Sequence, residues 1–422
     1  MSALDAPARQ RGDRPGFEAS GLTRLGLSAR TWLEREEQRL LVSCPRRLTR
    51  AAAVATRFRL GLLVTVYVTV AVVSQWLFGP GGDSAVFGPA GRVLLSRDWA
   101  DTFASANLQS GPLFVALHGI GSALTAGSGL PPYLGGGFCT ALCNALLTVA
   151  ASRAVMRHYR LTAHDSAVRE LGLGLVFALT GGLWLVSIYA HPDDVMVTLL
   201  LVLAASRAAE GRYTLAGTVF GLAVGVKLWA LVAVAVLLVR ASRRDAVRSA
   251  AAAVATIAVV YGPFFVLGHV NTFHWAWQVE DPAPMNLVLA TGTNFTWYLR
   301  LLQAGVAAAA GLVALRSARG GPNAIWLVPA AAIAGRLLLD PRAMVYYYPP
   351  LLLCLLLGQW AGSPLSTFGT TLTSLALAVP VIAIFVVATH TLGSLWVAGF
   401  CLGVLVLATR RRRIQPVRAG TP

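Results

Sequence analysis

Carboxylates are scarce in this sequence, and lysine is all but absent. Of 422 residues 18 are Asp or Glu, and Lys227 is the single lysine among 35 Lys and Arg together. Charged residues make up 13%, well under the ~25% usual in soluble domains. That excludes a water-solvated globular chain. Cysteine is sparse as well, with five in the chain. Cys44 sits in a basic N-terminal stretch, Cys139 and Cys143 lie one helical turn apart in an apolar run, and Cys354 and Cys401 fall in separate apolar runs. No CxxC or Cys/His spacing occurs, so neither a disulfide framework nor a cysteine metal site is expected. The first fifty residues are polar and precede a full-length apolar run, so no signal peptide is expected.

What is abundant is apolar: 56% of residues, with a mean hydropathy of +0.64. Apolar runs of roughly 16–20 residues separated by short polar loops predict an all-α integral membrane protein with many spans. The net charge of +17 resembles a nucleic-acid signal until the arginines are placed. They cluster in Arg9–Arg59, Arg153–Arg169, Arg207–Arg212, Arg240–Arg248, Arg316–Arg319 and Arg410–Arg418. These are short loops and tails between apolar runs, and positive charge on the cytoplasmic side accounts for them. No nucleic-acid partner is expected, and membrane lipids are.

Placing those arginines inside fixes the layout. Residues 60–78 cross outward, and 134–152 return. Between them 111–126 is short, glycine-rich and carries His118. Were it to cross, Arg153, Arg157 and Arg160 would fall outside, so it is assigned to a long first outer loop, 79–133, as a non-spanning helix. Residues 171–189 come out to the loop Ala190-His-Pro-Asp-Asp194, and 195–208 go back. The run 213–239 begins and ends beside arginines, so it must cross an even number of times. It is too short for two full spans at 1.5 Å per residue, so a break is expected at Gly225-Val-Lys227, near the outer face. Residues 249–268 exit to a second outer loop, 269–294, with Trp275, Trp277, Glu280 and Asp281. Spans follow at 295–315, 324–339, 346–361, 369–389 and 394–409. That makes about twelve crossings with both termini cytoplasmic, as expected in a bacterial plasma membrane. Four segments result: a basic tail, 1–59, with an amphipathic stretch at 30–42; a catalytic transmembrane module, 60–361; a helix pair, 362–409; and a basic tail, 410–422.

Outer carboxylates are then few: Asp83, Asp98, Asp101, Asp193, Asp194, Glu280, Asp281 and Asp340. Acids beside hydrocarbon are costly and mark site candidates. Asp83, on Gly-Gly-Asp-Ser just after the first span, is the prime one, its plainer alternative being a solvated turn residue. Asp193 and Asp194 could equally supply first-turn charge to a helix opened by Pro192, but His191 beside them raises the functional reading. Glu280 and Asp281 are expected to be loop solvation. Asp340 is expected to pair with Arg336 or Arg342 or to orient substrate. Lys227, alone in an apolar segment, suits a phosphate or a buried carboxylate better than a snorkelling anchor.

Asp83-Ser-Ala-Val-Phe87, Pro89–Leu95, Gln109-Ser-Gly-Pro-Leu113, Tyr189-Ala-His-Pro-Asp-Asp194, the Gly221-Leu-Ala segment leading to Lys227 and the Tyr346–Leu351 turn together resemble the GT-C glycosyltransferase superfamily. Within it the resemblance is nearest to bacterial polyprenol-phosphate mannosyltransferases. Gly-Pro replaces the Pro-Pro of their third motif. The resemblance implies a GT-C-like fold with short non-spanning helices in the first outer loop. It also implies transfer of a hexose, mannose as first choice, from a polyprenyl-phosphate sugar to a membrane-bound acceptor at the outer face. Asp83 would be the general base of an inverting reaction, and Lys227, Arg336 or Arg342 would stabilise the leaving phosphate. His191, Asp193 and Asp194 would bind hydroxyls, with Trp275 and Trp277 as stacking or interfacial platforms and Asp340 orienting substrate. A divalent metal bridging Asp83 and Asp193 or Asp194 is left open, with no ligand-dense motif to support it; the donor lipid is the implied co-substrate. The competing expectations are a lipid-linked-sugar flippase or secondary transporter, and a structural partner in a wall-synthesis complex.

Overall fold

The computed structural model describes residues 31–32, 35–36, 39, 46–79, 83–342, 344–387 and 391–410. Most of the expected amphipathic stretch 30–42 and nearly all of the tail 410–422 lie outside the described residues, as do residues 1–30. The chain is helical almost throughout: α1 (Arg46–Arg57), α2 (Arg59–Phe78), α3 (Ser84–Leu94), α4 (Pro112–Thr125), α5 (Pro132–His158), α6 (Ala163–Leu179), α7 (Gly182–Ile188), α8 (Pro192–Ala209), α9 (Tyr213–Val226), a 3-10 segment (Leu228–Leu238), α10 (Arg243–Leu267), α11 (Trp297–Ala318), α12 (Ala324–Leu338), α13 (Tyr348–Gly362), α14 (Thr367–Val387) and α15 (Thr391–Thr409). Local chemistry sets many of the starts. Proline opens α4, α5 and α8, where its missing N–H and fixed φ suit the first turn. Ser242 and Asp245 form a capping box at the start of α10, satisfying two otherwise orphaned donors.

Among the described residues, each stretch expected to cross is helical over most of its length. Among the described residues five helices are long and apolar enough to span a membrane: α2, α5, α10, α11 and Leu392–Thr409 of α15. The count rises to six if α6 and α7 form one bent span. α4, α9, the 3-10 segment, α12 and the start of α14 are shorter apolar helices. Two departures from straight spans matter. The run 171–189, expected as one helix, bends by 47° between α6 and α7. There Gly181 adopts φ +92°, a left-handed conformation that a side chain disfavours. The second is the break at Lys227, which lies where the arginine count put it. α9 stops at Val226, Lys227 is extended (φ −159°, ψ 131°), and the chain resumes as a tighter 3-10 helix.

α8 forms the centre of the molecule. It packs on α5, α9, α12, α13 and the 3-10 segment, and nearly all its residues are buried. Residues 83–133, expected to belong to the first outer loop, fold over its start. α4 packs between α3 and α5 with Phe114, Val115 and His118 buried, while Ile120 and Leu124 on its other side are exposed. The second loop returns through two short antiparallel strands, β1 (Trp277–Gln278) and β2 (Asn294–Phe295), with Trp277 opposite Phe295. Val279, Met285 and Phe295 form a small core of their own there. The two segments are joined by the Asn271 N–H donating to Phe103 O at 2.9 Å.

Candidate active site

Asp83 occupies the N-cap position of α3, where an Asp side chain ordinarily accepts from the first-turn N–H groups. Here it makes no such bond. The backbone carbonyl of Asp83 accepts from Val86 and Phe87 instead, and the carboxylate lies 3.1 Å from His191 Nε2. The side chain keeps 43% of its surface exposed, so one edge is open to a substrate. A solvated turn residue would not be held in this way.

His191 is buried at the turn between α7 and α8. Ala190 takes a positive φ of 57°, and the His191 N–H donates back to Val186 O at 2.7 Å. The Tyr346 ring stacks on the imidazole at 4.0 Å and 16°, while Phe87 meets it edge-on. With Nε2 toward Asp83 and Nδ1 3.5 Å from Asp193 Oδ1, the ring bridges two carboxylates. Burial and the Lys227 charge push the imidazole toward neutrality. Its hydrogen bonds to Asp193 and Asp83 outweigh both and hold its pKa above the usual histidine value. Partial burial raises the Asp83 carboxyl, but the hydrogen bond and charge of His191, helped by Lys227, bring it below its ordinary value.

Asp193 and Asp194 follow Pro192 in the first turn of α8, both fully buried. Lys227 Nζ lies 3.0 Å from Asp193 Oδ2 and 2.9 Å from Asp194 Oδ2, with His191 Nδ1 at 3.4 Å. The carboxylates sit at the positive end of α8 and the ammonium at the negative end of α9, so both helix dipoles favour the arrangement. Ser110 Oγ donates to Asp193 Oδ2 at 2.6 Å, and Trp229 Nε1 to Asp194 Oδ1 at 2.6 Å. Ser110 is brought there by a backbone contact: the Gly111 N–H donates to Val226 O at 2.7 Å. A Cβ on Gly111 would lie 2.2 Å from Gly225 O, so the loop can dock on the helix break only with glycine at that position.

His191, Asp193 and Asp194 offer ligand atoms within 4.8 Å of one another, a spacing that could hold a cation. The Lys227 ammonium already stands against both carboxylates, and a divalent ion beside it would meet like charge at close range. The donor set therefore fits an internal ammonium rather than a metal.

Arg336, Asp340, Arg342, Trp275 and Trp277 form a second cluster. Arg336 pairs with Asp340 at 3.3 Å and lies over the rings of Trp229 (4.9 Å) and Tyr347 (5.0 Å). Trp229 thus joins the two clusters. Asp340 also accepts from Gln303 Nε2 at 3.2 Å and from the Arg342 N–H at 3.2 Å. The Arg342 side chain pairs with Glu280, so Glu280 is an ion-pair partner rather than loop solvation. Trp277 carries Arg342 on its ring at 5.1 Å, with Trp275 edge-on at 6.1 Å. Asp98 and Asp101 stay apart from both clusters. Asp101 contacts the exposed His269 at 3.0 Å.

Ser110, Trp229 and Tyr346 are the contacts that a residue-by-residue reading passes over. Ser110 and Tyr346 lie within two of the motifs quoted above, but nothing in a lone serine or tyrosine announces its partner.

The family model for Glycosyltransferase family 87 matches residues 111–357. The chain belongs to that family. It is therefore a membrane glycosyltransferase of the GT-C superfamily. The match begins at Gly111, and the family-87 region encloses His191, both aspartates, Lys227 and the whole second cluster; Asp83 precedes it. No curated protein matches the chain. Among solved structures, ArnT from Cupriavidus metallidurans in the apo state is similar to it over 84% of this chain and 76% of that one, with 18% identity and a TM-score of 0.47.

Proposed function

We propose that this family-87 enzyme transfers a hexose, mannose as first choice, from a polyprenyl-phosphate donor to a lipid-linked or cell-envelope acceptor at the outer face of a bacterial plasma membrane. The chain would cross that membrane about twelve times with both termini cytoplasmic. The observation that carries the reading is Asp83: a carboxylate released from helix capping, hydrogen-bonded to a buried histidine on one side and open on the other. In the reaction the acceptor oxygen attacks the anomeric carbon with inversion as the bond from that carbon to the phosphate oxygen breaks. The acceptor proton passes to Asp83, and the electron pair leaves with the lipid phosphate. A phosphate needs no proton to depart, so cationic surroundings suffice on its side. His191 holds Asp83 in place, Lys227 locks the start of α8, and Asp193 anchors the Gln109–Leu113 loop through Ser110.

A broken helix carrying a buried cation also occurs in transporters, so the test must separate transfer from transport. Purified protein in proteoliposomes, given a labelled polyprenyl-phosphate hexose and extracted envelope lipids, is expected to form a labelled glycolipid. Movement of the donor across the bilayer without new glycolipid would overturn the proposal.

The Asp83–His191 pair gives a pH signature. Asp83 must be ionised to accept a proton, and its depressed pKa keeps it so to below the usual carboxylate range. His191 holds its proton to above the usual histidine value and loses it as pH rises further, removing the charge that orients Asp83. His191→Asn should therefore move the acidic limb of the kcat/KM profile upward and abolish the alkaline inflection. A profile in which both limbs keep their wild-type positions would place the titrating groups elsewhere.

A further inference from the structure

The His191 imidazole is held both in its plane and across it. Its nitrogens point at two carboxylates, with Nε2 3.1 Å from Asp83 Oδ2 and Nδ1 3.5 Å from Asp193 Oδ1. Two contacts in the ring plane leave an imidazole free to rock about the line through them. Aromatic rings remove that freedom here. Tyr346 lies flat on one face, 4.0 Å away and 16° from parallel, and Phe87 meets the ring edge-on at 5.9 Å. Phe87 follows Asp83 by one helical turn, and its N–H donates to Asp83 O at 3.0 Å, so one turn of chain supplies both the base and one wall of the clamp. Tyr346 is itself buried, 8% exposed, and packs against Tyr189 at 5.5 Å and edge-on against Tyr347 at 4.7 Å. Tyr347 carries Arg336 on its ring at 5.0 Å, so the tyrosine pair connects the imidazole to the second cluster.

Resting on the transfer reading above, we propose that Tyr346 is a positioning residue for the base: its ring face fixes the plane of the His191 imidazole and so the direction in which Nε2 meets Asp83. The face of an aromatic ring also attracts a cation, so the stack favours imidazolium over neutral imidazole. The charged and titratable groups around His191 are Asp83 at the start of α3, Asp193 on α8 and Lys227 at the end of α9. Tyr346 covers its face, and His118 of α4 packs on Phe87 at 5.5 Å. The two carboxylates favour the proton on His191 and Lys227 opposes it. The Tyr346 ring acts on the side of the carboxylates, and it acts through His191.

The test reads the His191 proton and sugar transfer separately, on purified full-length protein in nanodiscs. Histidine-ring NMR, with His191→Asn to assign the signal among seven histidines, follows the titration of His191 without donor or acceptor. Tyr346→Leu should move that titration about 0.5–1 pH unit lower, and the alkaline limb of kcat/KM should move with it. The same variant should lower kcat roughly five- to tenfold with KM little changed. Tyr346→Phe keeps the ring, so it should preserve the titration and most of the turnover, which guards against a variant that merely folds badly. In the His191→Asn background Tyr346→Leu should cost less than about twofold, because the residue through which it acts is gone. An undiminished cost in that background would make Tyr346 a packing residue and overturn the proposal. Loss of turnover in Tyr346→Phe would assign the effect to the hydroxyl and overturn the ring-face clamp. An unmoved His191 titration in Tyr346→Leu would do the same, even where glycolipid is formed. A shifted titration in a protein that makes no glycolipid would sink the transfer reading and leave the clamp standing.

Discussion

Asp83→Asn is expected to lower sugar transfer by roughly 10²–10⁴-fold, the range supplied by a positioned general base. The substitution is nearly isosteric, and the asparagine oxygen can still accept from His191 Nε2. What disappears is the ability to take the acceptor proton. Because the side chain is 43% exposed and caps no helix, expression and thermal midpoint should hold close to wild type. Asp83→Glu should retain part of the activity, since the base survives and its reach changes by one methylene. Labelled-donor turnover in membranes, normalised to folded protein, reads both. Wild-type turnover by Asp83→Asn would remove Asp83 from the chemistry and with it the proposed mechanism.

Lys227→Met should have the largest effect on stability. It leaves Asp193 and Asp194, both fully buried, without the ammonium that lies within 3.0 Å of each. Breaking a buried pair by removing one partner costs roughly 3–5 kcal/mol, because a charge is left uncompensated. Removing both sides of such a pair is far milder. The triple variant with Asp193→Asn and Asp194→Asn should therefore regain most of the lost stability while transfer stays low. Thermal aggregation in detergent measures the first quantity and glycolipid formation the second. If Lys227→Met melts like wild type, the ammonium does not hold the aspartates.

Much of this arrangement was legible because hydrophobic length and arginine placement are strong signals in a membrane chain. Putting the arginines inside brought Asp83, the His191–Asp194 loop and Lys227 to one face, and the same count located the break at Lys227. The structure gathers Asp83, His191, Asp193, Asp194 and Lys227 into one cluster. The bend at Gly181 was not legible, since an apolar run reads alike whether straight or broken and glycine is frequent throughout this chain. Side-chain partners were less legible still. Ser110 reaches Asp193 only because Gly111 lets its loop touch the backbone of Gly225 and Val226, a contact between segments more than a hundred residues apart.

Lys227 has a further use that follows from its solitude. It is the one lysine side chain in 422 residues, and it is 8% exposed at the junction of α9 and the 3-10 segment. Amine-selective reagents therefore meet a single interior target, reachable only when this part of the molecule opens. A lysine-specific protease has one peptide bond to cut, and cutting it severs the polypeptide within the candidate site. Acylation at Lys227, or the appearance of two fragments, thus reports on local opening at the site without any label having to be introduced.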